Sequence, residues 1–237
     1  MDFIELWTGG PRFAQAEHFK LGTDCIVLSD FANTSGAKKG IDLGCASGAI
    51  AMFLLCKSPK LHMTGLELQE RAVEIAKENM RMNGFEDRSE MLCGDIRCYK
   101  ELFKSGSFDI VVSNPPYFPV GTGPVSPSKA RAAARGETDC TLDDICRAAS
   151  FLCRSGGSFC IVHKPERLSE AMCTMTKYGL EPKRLRMVCH RAESAPGLVL
   201  IEARRDGKPG LKIEPTLILR DEKDQETAEA KRIYHRP

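Results

Sequence analysis

Short apolar runs alternate with amphipathic segments along the chain from about residue 38. The apolar runs are nearly continuous, as in buried parallel strands, and the segments between them have helical spacing. This alternation predicts an α/β fold in which helices cover both faces of a parallel sheet. Strands are predicted in KGIDLGC, LHMTGLEL, SEMLCG, SFDIVVSN and SFCIVH, and helices in SGAIAMFLLCK, QERAVEIAKENMRMNG, IRCYKELFKSG, TLDDICRAASFLCRSGG (with a capping box of Thr141 and Asp144) and PERLSEAMCTMTKYG.

Two further apolar runs, KRLRMVCHR and GLVLIEARR, follow with no helix between them. We expect them to pair as an antiparallel hairpin, which completes a doubly wound, mostly parallel sheet of seven strands. Residues 1–36 are predicted to be a segment that covers the pocket of the sheet, and residues 37–206 to be the α/β domain. Residues 207–237 are predicted to be a polar tail that is poorly ordered at its end.

The composition is that of an ordinary globular protein, with 237 residues of which 42% are hydrophobic and 28% charged. The net charge of +2 gives no argument for a nucleic-acid partner. Two basic clusters late in the chain are interpreted either as a solvated face or as contacts to phosphate. These clusters are Lys183, Arg184, Arg186, His190 and Arg191, and Arg204, Arg205, Lys208 and Lys212.

The eleven cysteines contain no CxxC pair and the five histidines are scattered, so no metal site is predicted. MDFIELW begins with an acidic residue after the methionine and lacks the apolar core of a signal peptide. We therefore expect reduced, mostly buried cysteines in a cytoplasmic protein. No apolar run is long enough to span a bilayer.

Three acidic residues lie at the carboxyl ends of predicted strands: Asp42, Glu67 and Asp95. Ligands of open α/β sheets bind at this edge of the sheet. The first strand turns into its helix through D-L-G-C-A-S-G, in which Gly44 allows a tight turn and Gly48 allows the helix to begin close to the sheet. Glu67 ends the second strand, where a carboxylate can accept from both hydroxyls of a ribose. Asp95 ends the third, where it can accept from the exocyclic amine of adenine. For each acid alone, a helix cap or a loop turn is the alternative.

The residues of the first loop discriminate between two cofactors. A nicotinamide dinucleotide needs G-x-G-x-x-G so that its pyrophosphate can bind at the helix N-terminus. Here the loop has Gly44, Ala46 and Gly48, and Asp42 precedes the first glycine by two positions. A carboxylate there would repel a phosphate but suits a cationic ligand. S-adenosylmethionine carries an ammonium and a sulfonium and has no phosphate, so this loop favours it.

The sequence N-P-P-Y, Asn114 to Tyr117, ends the fourth predicted strand. Its two prolines remove two backbone donors and fix two φ angles, so the strand cannot continue. We expect the Asn114 side-chain oxygen and the Pro115 carbonyl to accept the two N–H bonds of a planar amine, and thereby to direct its lone pair toward a methyl group. Tyr117 would stack on the base. Phe118 is either a second wall of that pocket or part of the core.

The segment GTGPVSPSKARAAARGETDC that follows is rich in Gly, Pro and Ser and then basic. Long loops of this kind are often functional. Phosphate contacts by Lys129, Arg131 and Arg135 are the preferred interpretation, and simple solvation is the alternative. For His163, at the end of the fifth strand, a structural hydrogen bond is preferred over catalysis.

D-L-G-x-x-x-G, Glu67, Asp95 and N-P-P-Y together resemble the class I, Rossmann-like S-adenosylmethionine-dependent methyltransferases. N-P-P-Y resembles the motif of enzymes that methylate adenine N6 or glutamine N5. QAEHFKLGTDCIVLSDFA and KPGLKIEPTLILRDE resemble the two ends of a small-domain group that includes bacterial tRNA adenine-N6 methyltransferases, so the resemblance covers nearly the whole chain. Ala46 departs from the glycine common in that family, and its methyl group is tolerable if φ is negative. The resemblance implies that the cofactor residues are Asp42, Gly44, Cys45, Gly48, Glu67, Asp95, Ile96 and Asn114, and that the catalytic residues are Asn114, Pro115, Pro116 and Tyr117.

Three functions remain open at this point. The first is adenine-N6 methylation of RNA, most simply tRNA; the second is glutamine-N5 methylation of a protein; the third is a non-catalytic role on the same fold. Only about forty residues precede the cofactor loop, whereas the glutamine enzymes generally carry a helical domain there. An unpaired adenine enters an open pocket at lower unstacking cost than one inside a duplex. A small domain with a basic rim therefore favours structured RNA.

Overall fold

The computed structural model describes residues 3–14, 21–115 and 140–236, and this part of the chain contains a nine-stranded and a two-stranded sheet. In the small sheet, β1 (Ile4–Glu5) pairs antiparallel with β2 (Arg12–Phe13). The large sheet contains β3 (Lys39–Leu43), β4 (His62–Glu67), β5 (Ser89–Cys93), β6 (Phe108–Ser113), β7 (Cys153–His163), β8 (Leu180–Cys189), β9 (Leu198–Arg205), β10 (Lys212–Ile213) and β11 (Leu217–Ile218).

The strand order of the large sheet is β10-β8-β9-β7-β6-β3-β4-β5, with β11 also paired to β8. Strands β3 to β7 are parallel to one another, and β9 runs antiparallel between β7 and β8. The predicted mostly parallel sheet with an antiparallel hairpin is confirmed, and β10 and β11 add two short strands to the predicted seven. Because β3 lies between β4 and β6, the direction of the crossovers reverses there. This switch point is where open α/β sheets bind ligands.

Helices cover both faces of the sheet, as expected for a doubly wound fold. One core contains Leu28, Met52 and Met80, and the other contains Ile145 and Met175. The predicted capping box is present, because Thr141 and Asp144 exchange hydrogen bonds at the start of the fifth helix. The helices are α1 (Thr23–Phe31), α2 (Ala49–Lys57), α3 (Glu70–Met82), α4 (Tyr99–Leu102), α5 (Leu142–Leu152), α6 (Leu168–Lys177) and α7 (Ala228–Ile233).

Two segments differ from the sequence-based expectations. Helix α5 ends at Leu152, whereas the pattern extends it through residue 157, because Cys153 pairs with Phe108 and begins β7. The tail beyond Asp206 is also ordered through residue 236, since Leu217, Ala230 and Ile233 are buried in β11 and α7. The sequence analysis gave this tail no strand or helix, because its buried positions are too few and too widely spaced to form a recognisable pattern.

The C-terminal residues pack against the beginning of the chain. The Arg232 guanidinium donates to both carboxylate oxygens of Asp30, at 2.8 and 3.0 Å, and the Tyr234 hydroxyl lies 3.2 Å from Thr23 Oγ1. The indole ring of Trp7 stacks on the His235 imidazole, with ring centroids 4.0 Å apart. Both ends of the described chain are therefore attached to α1 and its surroundings.

The late basic clusters are used largely in ion pairs within the protein. Arg184 pairs with Glu202 and Glu214, and Arg186 pairs with Glu229. Further pairs join Arg191 to Asp224 and Arg205 to Asp206. These arginines hold β8, β9 and the tail together, which weakens the interpretation of the clusters as a phosphate-binding patch.

All eleven cysteines are free thiols. Among residues 3–14, 21–115 and 140–236, no helix has the length and apolar content needed to cross a membrane. Within the same ranges, no three His, Cys, Asp or Glu side chains are grouped as metal ligands.

Asn79 on α3 and Asn83, the residue after this helix, attach the N-terminal segment to the fold. Asn79 Oδ1 accepts from Ala14 N at 2.8 Å, while its Nδ2 donates to Ala14 O at 2.7 Å and to Ser47 O at 2.9 Å. One turn later, Asn83 exchanges two hydrogen bonds with the backbone of Arg12, at 2.9 and 2.8 Å. Each carboxamide pairs with the backbone N–H and C=O of one residue, as a neighbouring strand would. Asn79 thus links the segment before residue 15 to the loop at the end of β3.

Replacing Asn79 by alanine should lower the free energy of unfolding by about 3 kcal/mol, because three buried hydrogen bonds are lost together. Asn83→Ala is the matched control on the next turn. Asn83 is only half-buried, so water can replace its bonds and we expect a loss of about 1 kcal/mol. Urea unfolding measures both values, and equal losses for the two variants would contradict the special role of Asn79.

Candidate active site

Every second residue from Gly44 to Gly48, in the loop after β3, has a left-handed backbone conformation: Gly44 (φ +76°), Ala46 (φ +47°) and Gly48 (φ +82°). Gly44 N and Cys45 N both donate to Leu66 O, at 2.8 and 3.2 Å, and thereby attach the loop to β4. A Cβ at Gly44 would meet only the Ile96 Cδ1 atom, at 4.0 Å. The backbone at Gly44 is therefore accessible to a ligand, and Ile96 forms an apolar wall beside it.

Two predicted loop residues act differently from expectation. A Cβ at Gly48 would lie 3.0 Å from Met80 Cε and 3.3 Å from Ala76 Cβ, so this glycine lets α2 begin close to α3 rather than close to the sheet. The Cys45 side chain is buried, and its sulfur packs where a side chain at Gly65 would lie. We therefore expect any contact of Cys45 with a cofactor to be made by its backbone.

Ala46 has a positive φ, although the sequence analysis made its methyl group tolerable only with a negative φ. The conformation is held by a hydrogen bond of 3.0 Å from Ala46 N to Glu67 Oε2. A left-handed residue with a Cβ costs roughly 1–2 kcal/mol. The carboxylate at the end of β4 thus holds the loop after β3 in a strained shape.

Replacing Ala46 by glycine should raise the free energy of unfolding by about 0.5 kcal/mol, since relief of the left-handed strain exceeds the added entropy of the unfolded chain. Ala228→Gly, at the exposed start of α7, is the control. There φ is not positive, so the same change should be slightly destabilising. Chemical denaturation measures both, and a destabilised Ala46→Gly variant would show that the loop carries no strain.

Asp42 is fully buried, and neither carboxylate oxygen has a hydrogen-bond partner among the described residues. Burial, and secondarily the charge of Glu67, raises the pKa of Asp42 to about 8. A buried carboxyl group without a partner is destabilising on its own. A nearby cation would favour the charged form of this carboxyl group, whereas a phosphate would keep it protonated, so the site favours a cationic group. The residues present therefore fit the ammonium and sulfonium of S-adenosylmethionine.

The raised pKa of Asp42 makes stability depend on pH. Between the unfolded value of 3.8 and the folded value of about 8, the folded chain retains a proton that the unfolded chain releases. Stability should therefore fall as pH rises toward 8. Burial lowers the pKa of His163 from 6.5 to about 4. Titration of His163 therefore makes stability rise with pH, but only below pH 6.5.

Between pH 6.5 and 8, the effect of Asp42 on stability is therefore free of the opposing effect of His163. The cofactor-free protein should lose up to about 1 kcal/mol of unfolding free energy per pH unit there. Urea unfolding across this range should give a flatter profile for Asp42→Asn, and the exposed control Asp87→Asn should keep the wild-type slope. A profile unchanged by Asp42→Asn would place the titration elsewhere.

Glu67 is the last residue of β4, and Asp95 follows the end of β5. The Glu67 carboxylate is buried and accepts from Ala46 N and, at 3.0 Å, from Gln69 N. Asp95 caps the 3₁₀ turn that follows β5 by accepting from Arg97 N at 2.8 Å. Its oxygens also pair with the Arg97 guanidinium, which lowers the pKa of the carboxyl group. The helix-cap alternative thus holds for Asp95, and its contact with an adenine amine stays a prediction.

The strand register brings Asn114 beside the loop after β3. Asp42 pairs with Val112, so Gly44 and Asn114 extend from neighbouring parallel strands at the same level. The Ser113 hydroxyl donates to Leu43 O at 2.7 Å and fixes the end of β6 against β3. Asn114 is half-buried, with its Nδ2 3.4 Å from Cys25 Sγ, and Pro115 is buried. The remaining predicted residues, Pro116, Tyr117, Phe118, Lys129, Arg131 and Arg135, lie outside the described residues.

His163 has the structural role that the sequence analysis preferred. Its side chain is buried, and Nδ1 accepts from Lys164 N at 2.8 Å. Its pKa of about 4 keeps the imidazole neutral near pH 7.

Sequence reasoning missed two residues at this edge of the sheet. Asn79 was detectable as a polar side chain on the apolar face of α3, among Ala72, Ile75 and Ala76. Cys25 gave no signal, because its contact with Asn114 spans 89 positions of the chain.

The fold and the site define a class I methyltransferase. The structure is similar to that of a predicted O-methyltransferase from Agrobacterium tumefaciens, with a TM-score of 0.72 and 19% identity over 90% of this chain and 96% of that one. It is also similar to geranyl diphosphate methyltransferase in complex with S-adenosylmethionine, with a TM-score of 0.56 and 15% identity over 76% and 84% of the two chains.

Residues 13–177 match the model of the methyltransferase small domain. Two similar relatives are both named tRNA1(Val) (adenine(37)-N6)-methyltransferase. The protein of Bacteroides thetaiotaomicron is 29% identical over 91% of this chain and 90% of its own length. The protein of Tolumonas auensis is 32% identical over 85% and 82%. The chain belongs to the methyltransferase small domain family, and it is an enzyme that uses S-adenosylmethionine as its cofactor.

Proposed function

We propose that this enzyme methylates the exocyclic N6 amine of an adenine in tRNA. The observation that carries the proposal is the position of Asn114 and Pro115 at the end of β6, level with Gly44 across the switch point of the sheet. The names of the relatives from Bacteroides thetaiotaomicron and Tolumonas auensis support the same acceptor. They make adenine 37 of the valine tRNA the first candidate.

The chemistry explains why this position needs an amide and a proline. The lone pair of an exocyclic amine is delocalised into the ring, so the nitrogen is a poor nucleophile. Two acceptors, the Asn114 side-chain oxygen and the Pro115 carbonyl, would draw the two N–H bonds out of the ring plane and localise the lone pair. Acceptors that are already in place need not reorient during the reaction. S-adenosylmethionine supplies the methyl group when bound.

The residues near Asn114 supply rigidity rather than proton transfer. The Ser113 hydrogen bond fixes the strand end, and the proline ring fixes φ at Pro115. A general base is not required, because the amine proton becomes acidic only after the methyl group has been transferred. His163 is neutral, buried and hydrogen-bonded to the backbone, which agrees with a reaction that does not use it.

A transfer assay with two kinds of acceptor tests the proposal. The protein is incubated with labelled S-adenosylmethionine and an unmodified valine tRNA transcript, and separately with a protein extract. We expect N6-methyladenosine in digests of the tRNA, and its absence from a transcript in which adenine 37 is replaced by guanine. Label appearing as N5-methylglutamine in the extract, with none in the tRNA, would replace the proposal with the protein acceptor.

We also propose that the enzyme works in the cytoplasm. All eleven cysteines are free thiols, and four of them, Cys56, Cys93, Cys98 and Cys173, are exposed. Exposed thiols persist in a reducing compartment.

A further inference from the structure

Helix α1 brings a side chain to Asn114 from a part of the chain remote in sequence. Cys25 lies in the first turn of α1, and its Sγ is 3.4 Å from Nδ2 of Asn114. We propose that Cys25 is a positioning residue that fixes the orientation of the Asn114 carboxamide for methyl transfer. This inference rests on the proposed function, since it assigns Cys25 a role through the Asn114 oxygen.

A carboxamide needs such a partner because its two ends have nearly the same shape. Rotation by 180° about the last side-chain bond exchanges the oxygen, an acceptor, with the NH₂ group, a donor. Only the oxygen can accept an N–H bond of the substrate amine. When Nδ2 donates to Cys25 Sγ, Oδ1 lies on the other side of the carboxamide. The sulfur thus distinguishes the productive orientation from the inverted one.

The Cys25 thiol stays protonated in its contact with Asn114. Burial, followed by the charge of Asp24, raises the pKa of Cys25 to about 12, and the Asp42 carboxyl acts in the same direction. A thiolate would attract the NH₂ group more strongly. The neutral sulfur is a weak acceptor, so its contribution is to orientation more than to binding strength.

Both partners of the contact are held by the fold. At the far end of α1, Lys57 Nζ donates to the carbonyls of Ser29, Asp30 and Ala32, at 3.3, 2.8 and 2.8 Å. At the near end, Tyr234 lies within hydrogen-bonding distance of Thr23. On the other side, Ser113 fixes the end of β6. A weak hydrogen bond can select an orientation here because these contacts hold the elements that carry both of its residues.

Two substitutions at Cys25 test the inference. Cys25→Ala removes the acceptor, and we expect kcat for tRNA methylation to fall about tenfold while the Kd for S-adenosylmethionine and the KM for tRNA stay within twofold. Cys25→Ser restores an acceptor of similar size, and kcat should recover to within threefold of wild type. Cys56→Ala, on the exposed face of α2, is the matched control and should leave kcat unchanged. A wild-type kcat for Cys25→Ala, or no recovery by Cys25→Ser, would overturn the inference.

The Asn114→Ala background separates positioning from a general effect on the fold. If Cys25 acts only through the carboxamide, Cys25→Ala should cause no further loss of single-turnover rate there. A loss of tenfold in that background would contradict the inference.

A readout without activity separates this inference from the proposed function. Asparagine-labelled protein gives side-chain NH₂ resonances, and that of Asn114 is assigned by its disappearance in Asn114→Ala. The resonance should shift in Cys25→Ala and stay in place in Cys56→Ala. If wild-type protein methylates no tRNA, the proposed function fails, and an unshifted Asn114 resonance in Cys25→Ala overturns the positioning role independently.

Discussion

Replacing Asn114 by alanine should lower the rate of methyl transfer to tRNA by about 10²–10³-fold, the usual loss when one preorganised polar group is removed from an active site. The variant loses the side-chain oxygen that would accept from the amine, and the nitrogen lone pair stays delocalised. Binding of S-adenosylmethionine should be largely kept, because the buried acids Asp42 and Glu67 are untouched. Single-turnover transfer of labelled methyl groups and calorimetric titration of the cofactor measure the two effects.

Asn33→Ala is the matched control for this prediction. Asn33 is exposed, and its side chain accepts from Ser35 N, within its own turn. We expect a wild-type rate from that variant. A wild-type rate from Asn114→Ala would exclude the amide from the chemistry and leave the N-P-P-Y motif with a structural role.

Replacing Glu67 by alanine should weaken S-adenosylmethionine binding by about 1.5–3 kcal/mol, or ten- to more than a hundredfold in Kd, the range for hydrogen bonds to a charged group. The carboxylate is expected to accept from the ribose hydroxyls, and it already holds Ala46 N and Gln69 N. The variant would lose both the acceptor and the shape of the loop after β3. Calorimetric titration gives Kd, and urea unfolding checks that the fold is kept.

Two variants separate the causes of this loss. Glu67→Gln keeps a neutral acceptor and should bind the cofactor with intermediate affinity. Glu74→Ala removes an exposed carboxylate that pairs with Arg71 on the surface of α3, and the affinity of this variant for the cofactor should equal that of wild type. Unchanged affinity in Glu67→Ala would remove the ribose assignment.

The order of strands and helices was predictable because its signals are local. The apolar run 110–112 and the prolines after Asn114 mark a strand and its end without reference to the rest of the chain. Parallel strands then place their carboxyl ends at one edge, so the loop after β3, Glu67 and Asn114 could be assigned to one site. Local signals in the sequence thus also mark where the carboxyl ends of these strands lie.

The contacts that refine the site could not be predicted, because they join distant segments. The positive φ of Ala46 depends on a carboxylate 21 residues away, and the partner of Asn114 lies 89 residues away. Asp95 shows the converse, since its contact with Arg97 is local and the sequence analysis already offered a cap as the alternative. Burial of the tail likewise depends on α1, which no periodicity of the tail reveals.

The stacking of Trp7 on His235 has a practical consequence. Trp7 is the only tryptophan of the chain, and its ring also lies 5.7 Å from that of Phe53 on α2. Its fluorescence therefore reports whether the two termini are joined, with no added dye. A red shift of emission at lower urea than the loss of helical circular dichroism would reveal that the ends separate as a local unit before the sheet unfolds.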